Sequence, residues 1–248
     1  MRAVDLGIID YGTALNIQTR AHDLRAGSWD EDILFVLEHE PVLTMGRRGG
    51  HDDLLVTEAE LARKKVPLYR LNRGGKITCH YPGQLVAYPV MGMERFQGDV
   101  PQFVTILEEI IIQTLADFGV QGRRIPEHRG VFVGTDKIAS IGIEIRDRVT
   151  LHGISFNVHE DLRLYRLFVP CGIRDKGVTF LEKVCRSGFA VSMESVKKSF
   201  LAHFVRAFNE EVPDLMDRSS FERQYLASGV QTDASANQRS AGKMLERV

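Results

Sequence analysis

The apolar positions of this chain fall into two rhythms. From Tyr11 to Ala26, residues Ala14, Ile17, Ala21 and Leu24 recur at helical spacing, and Gly27 follows as a stop. Thr57 and Glu60 form a capping-box pattern ahead of a short helix, Glu58–Lys65. After Pro101 a stronger stripe runs through Phe103, Ile106, Leu107, Ile110, Ile111, Leu115 and Phe118, and Gly119 ends it. A last stripe of Val196, Phe200, Phe204, Val205 and Phe208 predicts a helix over Met193–Asn209. Between the stripes lie shorter apolar runs. Gly7–Asp10, Ile77–His80 and Leu85–Val90 read as strands, and the continuous run Ile33–Leu37 reads as a buried one. Val131–Val133, Ile138–Ile145 and Val149–Val158 are rich in β-branched residues. Arg146-Asp147-Arg148 separates the last two as a hairpin turn.

Helices and hairpins that mix without strict βαβ alternation predict an α/β fold of the mixed α+β kind, a mixed β-sheet flanked by helices. No internal repeat occurs. Residues 1–215 are expected to form one catalytic domain and 216–248 a C-terminal extension. From about Ala227 the extension turns to Ser, Ala, Gly, Asn and Gln and reads as a mobile tail.

Composition narrows the function. The 248 residues are 44% apolar and 26% charged, values of a soluble globular protein. A formal net charge of −1 and the lack of a Lys/Arg-rich stripe argue against nucleic acid as a partner. No apolar run approaches the ~20 residues of a membrane helix, and the first residues carry no signal core. The three cysteines, Cys79, Cys171 and Cys185, have neither paired nor zinc-ligand spacing. Free thiols in a reducing cytoplasm are therefore expected, with no cofactor and no metal.

The segment Arg73–Gln84, RGGKITCHYPGQ, is the most punctuated stretch of the chain. Its glycines let backbone N–H groups approach a ligand, or simply make two tight turns. It fits neither phosphate-loop pattern. Gly46–Gly50, GRRGG, is a weaker candidate cradle for an anion. Cys171 sits between Pro170 and Gly172 in a constrained turn. There it is either an accessible nucleophile or a small buried hydrophobe, and the residues alone leave both open. Cys185 has no such setting. Cys79 and His80 are neighbours on a strand and point to opposite faces, so they are no nucleophile–base pair. Lys137 leads into an apolar strand, either partly desolvated and so a base, or solvated at the strand end. His152 precedes Gly153 and reads as a core histidine with both nitrogens satisfied.

Together these pieces resemble the octanoyltransferase family, also called lipoyl(octanoyl) transferase or lipoate biosynthesis protein B. RGGKITCHYPGQLVAY resembles its signature. Tyr11-x-x-Ala14-Leu15-x-x-Gln18, Leu37-Glu38-His39 with Pro41-Val42 and Gly46-Arg47, Lys137-Ile138-Ala139-Ser140-Ile141-Gly142, Val149-Thr150 with His152-Gly153 and Asn157, and Pro170-Cys171-Gly172-Ile173 follow in the family's order. The resemblance runs from about Tyr11 to Leu181. It implies the fold of the lipoate/biotin protein ligase catalytic domain. It implies transfer of an octanoyl group from acyl carrier protein to a lysine of the lipoyl domains of 2-oxoacid dehydrogenases and of glycine-cleavage H protein. It implies Cys171 as nucleophile and Lys137 as base. The implied substrate contacts are Arg73, Gly74, Gly75, Lys76, Ile77, Thr78, Cys79 and His80, then Ser140, Ile141 and Gly142, then Gly153, Ile154 and Ser155.

Three positions depart from the family's pattern. Tyr81 stands where glycine is common, Arg148 where tryptophan is frequent, and Phe180 where serine is frequent. Tyr81 is expected to alter the pocket wall. Two other functions compete: an ATP-dependent lipoate- or biotin-protein ligase on the same scaffold, and a non-catalytic acyl- or protein-binding module.

Overall fold

The computed structural model describes residues 1–27, 29–126, 128–169, 177–186, 188, 190–211 and 214–226. Cys171 and the tail expected from about Ala227 lie outside the described residues.

Strand β1 (Arg2–Ile9) leads into helix α1 (Tyr11–Gly27), followed by β2 (Ile33–His39), β3 (Val42–Met45), α2 (Glu58–Arg63) and β4 (Leu68–Arg70). Strands β5 (Ile77–His80) and β6 (Gln84–Val90) precede the long helix α3 (Val100–Asp117). Three further antiparallel strands follow β7 (Arg123–Ile125): β8 (His128–Val133), β9 (Asp136–Arg146) and β10 (Val149–Asn157). Helices α4 (Leu181–Val184) and α5 (Met193–Ala207), strand β11 (Leu215–Asp217) and helix α6 (Arg218–Phe221) come next.

Eight strands make one mixed sheet in the order β11-β1-β2-β6-β10-β9-β8-β7, and β4-β3-β5 make a small second sheet. Side chains alternate across a strand, so a sheet covered on both faces needs apolar residues at successive positions. Strand β2 shows this: Leu34 and Val36 join the core under α3 and α5, whereas Ile33, Phe35 and Leu37 join the core under α1 and α6. Strand β6 repeats it, with Leu85 and Ala87 on the first face and Val86, Tyr88 and Val90 on the second. This two-sided burial is the physical cause of the unbroken apolar runs.

Local signals set the ends. Both halves of the Thr57–Glu60 capping box form, and Asp99 caps α3 with Pro101 in its first turn. Asp147 and Arg148 both hold positive φ, 49° and 62°, in the two-residue turn joining β9 to β10. Arg148 therefore serves the hairpin. Strand β1 begins earlier than Gly7, where the apolar reading placed it, because its first half is held between β2 and β11.

A third core closes the small sheet. Leu43, Ile77, Cys79, Tyr81, Phe168 and Phe180 pack there. Tyr81 is fully buried in it, and its hydroxyl donates to Asn157 Oδ1 at 3.2 Å. The expectation that Tyr81 shapes the pocket wall is thus corrected: its ring fills the space behind β5. Phe180, the other bulky departure, fills the same core. Among the described residues no helix is long and apolar enough to cross a membrane.

Candidate active site

The two sheets meet along one cleft. Gly74 N–H donates to Ile143 O at 2.9 Å and fastens the Arg73–Gly75 turn onto β9. The cleft is a cavity of about 200 Å³. One wall carries Arg73, Gly75, Lys76, Ile77, Thr78 and His80, and the other carries Lys137, Ser140, Ile141, Gly142, Gly153, Ile154 and Ser155. Two residues expected as contacts are absent from this lining. Cys79 is corrected to a core residue: β5 alternates, so Thr78 and His80 face the cleft and Cys79 faces the third core. Gly74 stands behind Arg73, whose Nη1 donates to its carbonyl at 2.8 Å.

The glycines serve close packing of backbones. A Cβ on Gly46 would lie 2.6 Å from Gly75 O, and one on Gly142 would lie 3.0 Å from Gly74 O. Gly75 itself holds φ +88°, a region that favours glycine. The turn built this way encloses the Arg73 guanidinium, which donates to Thr44 O at 2.7 Å and to Thr44 Oγ1 at 2.7 Å. A fixed positive charge therefore sits beneath the cleft.

GRRGG does not cradle an anion. Gly46, Arg47 and Arg48 N–H donate to Lys76 O, Arg73 O and Gly75 O at 3.0, 3.1 and 3.1 Å. Gly49 N–H donates to Gly46 O at 2.9 Å and Gly50 N–H to Asp53 Oδ2 at 3.0 Å. Every amide of the loop has a protein acceptor, so the loop braces the Arg73–Gly75 turn.

A chain of hydrogen bonds fixes the His80 tautomer. Thr179 O can only accept, so the atom of Asn157 facing it at 3.2 Å is Nδ2. Asn157 Oδ1 then accepts from Gln84 Nε2 at 2.9 Å, which turns Gln84 Oε1 toward His80 Nδ1 at 2.7 Å. His80 Nδ1 therefore carries the proton, and Nε2 keeps a bare lone pair. Burial, and then the charge of His39, hold the His80 pKa well below its ordinary value, so the ring is neutral. The same chain touches Lys137, because Thr179 N–H donates to Lys137 O at 2.9 Å.

Lys137 is half-buried at the start of β9, with Nζ 5.4 Å from the centre of the Phe132 ring. Its N–H donates to Gly177 O at 2.9 Å, and it bridges to Val178. Gly130 of β8 leaves room for it: a Cβ there would lie 2.8 Å from Lys137 Cε.

Several groups of the site escaped the sequence reading. His39 Nδ1–H donates to Ile9 O at 3.0 Å, and its Nε2 accepts from Tyr88 O–H at 2.7 Å. Tyr88 and Thr44 come from strands whose register alone brings them here. His152 overturns the expectation of two satisfied nitrogens. Its Nε2 lies 3.5 Å from Glu144 Oε2, whereas buried Nδ1 has no partner among the described residues. It also holds φ +61°, where only its backbone N–H bond to Gln18 Oε1 and the surrounding sheet keep it.

Burial pushes His39 down to about 4, and it also lowers His80 and His152. Each binds a proton more readily unfolded than folded. The stability they contribute is complete above the unfolded value of ~6.5 and is lost as pH falls toward the folded one. His39 alone is expected to lose about 2 kcal/mol between pH 6.5 and 5. Urea midpoints at pH 7 and pH 5 measure the slope, and His39→Gln is expected to flatten it.

Residues 10–205 match the family model of the lipoyl protein ligase A/B catalytic domain. Among solved structures, a putative lipoate protein ligase of T. acidophilum, Ta0514, superposes with TM-score 0.66 at 17% identity, covering 91% of this chain and 96% of that one. A lipoate-protein ligase A bound with ATP gives TM-score 0.67 at 17% identity, over 92% and 94%. Fold and cleft thus define a catalytic domain of the lipoyl ligase and transferase class. In sequence, the octanoyltransferase of Maridesulfovibrio salexigens is 41% identical over 85% of this chain and 97% of its own. That of Thermoanaerobacter sp. (strain X514) is 43% identical over 82% and 88%. The chain belongs to the octanoyltransferase family.

Proposed function

We propose that this protein moves an octanoyl or lipoyl group from acyl carrier protein to the target lysine of lipoyl domains, through a thioester on Cys171. The acceptors are lipoyl domains of 2-oxoacid dehydrogenases and glycine-cleavage H protein, and the reaction takes place in the cytoplasm. The observation that carries this reading is the setting of Lys137. It shares one cleft with the Arg73–His80 segment, and its backbone holds Gly177–Thr179. Cys171 lies six positions before Gly177 in sequence, a separation that extended chain spans in at most about 21 Å.

The Cys171 thiol gives its proton to Lys137, and the thiolate attacks the thioester carbonyl of the donor. The donor sulfur leaves and is protonated as the free carrier thiol. The acceptor lysine then attacks the acyl-enzyme, Lys137 takes its proton, and the Cys171 sulfur leaves as the amide forms. Splitting the transfer at a thiolate replaces one hard step by two easier ones. Donor activation is already present in the thioester, so ATP has no task. His80 presents a lone pair, so it cannot donate to the oxyanion; that role falls to backbone amides.

The bonding of GRRGG weakens the ATP-dependent alternative, because no loop amide is left for a nucleotide phosphate. Intact and peptide mass spectrometry after mixing with octanoyl carrier protein, without ATP, tests the reading. One octanoyl group on Cys171 is expected, and its loss in Cys171→Ser. No adduct, with transfer strictly dependent on ATP, would assign the protein to the ligases.

A further inference from the structure

The described residues lining the cleft include Arg48, Arg73, Lys76, Arg129 and Lys137, and no aspartate or glutamate. On a chain whose net charge is −1, this is a local excess of cations. Three of the five have work already described. Arg73 is buried against Thr44, Lys76 Nζ donates to Asp53 Oδ1 at 2.8 Å, and Lys137 is the proposed base. The other two differ. Arg48 and Arg129 are exposed, and the side chain of neither has a hydrogen-bond or ion-pair partner among the described residues. They stand on different walls. Arg48 follows β3 in the loop bonded to Gly75, and Arg129 lies on β8 next to Gly130. Two guanidinium groups with no side-chain partner among the described residues thus line one opening from two sheets.

We infer that Arg48 and Arg129 form a cationic rim that holds acidic side chains flanking the target lysine of the acceptor domain. The inference rests on the octanoyltransferase reading of the same cleft. Reach decides between the two proteins that visit it. A lysine side chain spans about 6 Å from Cα to Nζ, so the acceptor must bring its own backbone to the mouth. A carrier protein delivers its thioester on a long uncharged arm, so its body and its anion stay farther out. Arg129 lies at the shorter of these two ranges. A Cβ on Gly130 would be 3.4 Å from Lys137 Nζ, which puts the neighbouring Arg129 Cα within about 9 Å of that nitrogen. Guanidinium suits this task because its planar fork takes a carboxylate through two parallel bonds. Opposite charge at a rim also steers encounter and fixes orientation.

Titration of the whole protein with an unmodified lipoyl domain, and separately with acyl-free carrier protein, tests this. Lipoyl-domain affinity is expected to fall with added salt and to drop about tenfold or more in the Arg48→Glu/Arg129→Glu double variant, with carrier affinity changed less than twofold. Replacing the acidic residues beside the acceptor's target lysine by lysine is expected to restore binding to that variant. The inference is overturned if the loss falls on the carrier protein, if neither affinity changes, or if the exchanged acceptor fails to recover. Octanoyl transfer by the wild-type protein, followed in parallel, separates the two readings. Transfer without a charge-dependent acceptor affinity sinks the rim alone, and absence of both transfer and adduct sinks the octanoyltransferase reading.

Discussion

Lys137→Met is expected to slow both acylation by the donor and transfer to the acceptor by roughly 10²–10⁴-fold, the usual effect of removing a general base. The fold should survive. The N–H and C=O of Lys137 hold Gly177 and Thr179, and the substitution keeps both. Methionine also keeps the chain as far as the Cε that lies along Gly130 and loses only the Nζ over Phe132. Lys137→Arg separates two roles. Arginine keeps the positive charge but does not deprotonate in proteins, so it cannot act as a base. If arginine restored the rate, the role of Lys137 would be electrostatic. Single-turnover measurement of each half-reaction makes the distinction, and the thermal midpoint checks the fold. A non-catalytic binding module would instead keep its full biological activity in Lys137→Met and Cys171→Ser.

The parts of the fold visible in the sequence are those whose cause is local. Two-sided burial wrote β2 and β6 as unbroken apolar runs, and one-sided burial wrote the stripe of α3. The capping box at Thr57 and the turn at Asp147–Arg148 are local chemistry as well. Strands β3, β4 and β11 escaped because each has only three or four residues and exists through a distant partner, as Leu215 does opposite Ala3, and β7 escaped because its three residues, paired with the adjacent β8, are too few to show a pattern. The site divides in the same way. Alternation alone put Cys79 and His80 on opposite faces. The pairing of Thr44 with Arg73, and of Tyr88 with His39, depends on register between strands far apart in sequence. The neighbour that each glycine must avoid was equally hidden. Gly142 and Gly153 both read as substrate contacts; both line the cleft, and each also has a neighbour of its own to avoid.

Those two glycines yield the sharpest contrast in stability. They face each other across β9 and β10. A Cβ on Gly153 would collide with the Ala87 carbonyl oxygen and stand 2.8 Å from Pro89 Cδ. Ala87 and Pro89 belong to β6, the strand paired with β10 near the middle of the eight-stranded sheet. Backbone in that position cannot swing aside as a side chain does, because β6 is itself pinned against β2. Gly153→Ala is therefore expected to cost about 3–5 kcal/mol, a large part of a typical domain's stability, and to lower the melting temperature by about 10 °C or more. Gly142→Ala meets softer neighbours, Gly74 O at 3.0 Å and Arg73 Cδ at 3.3 Å, both in a turn outside the sheet. Its cost in stability should stay below about 1 kcal/mol. Its effect falls on transfer, since the displaced turn carries a wall of the cleft. Calorimetry on both variants, beside their transfer rates, checks the pair. A Gly153→Ala protein as stable as the wild type would mean that β6 and β10 do not pack in this register.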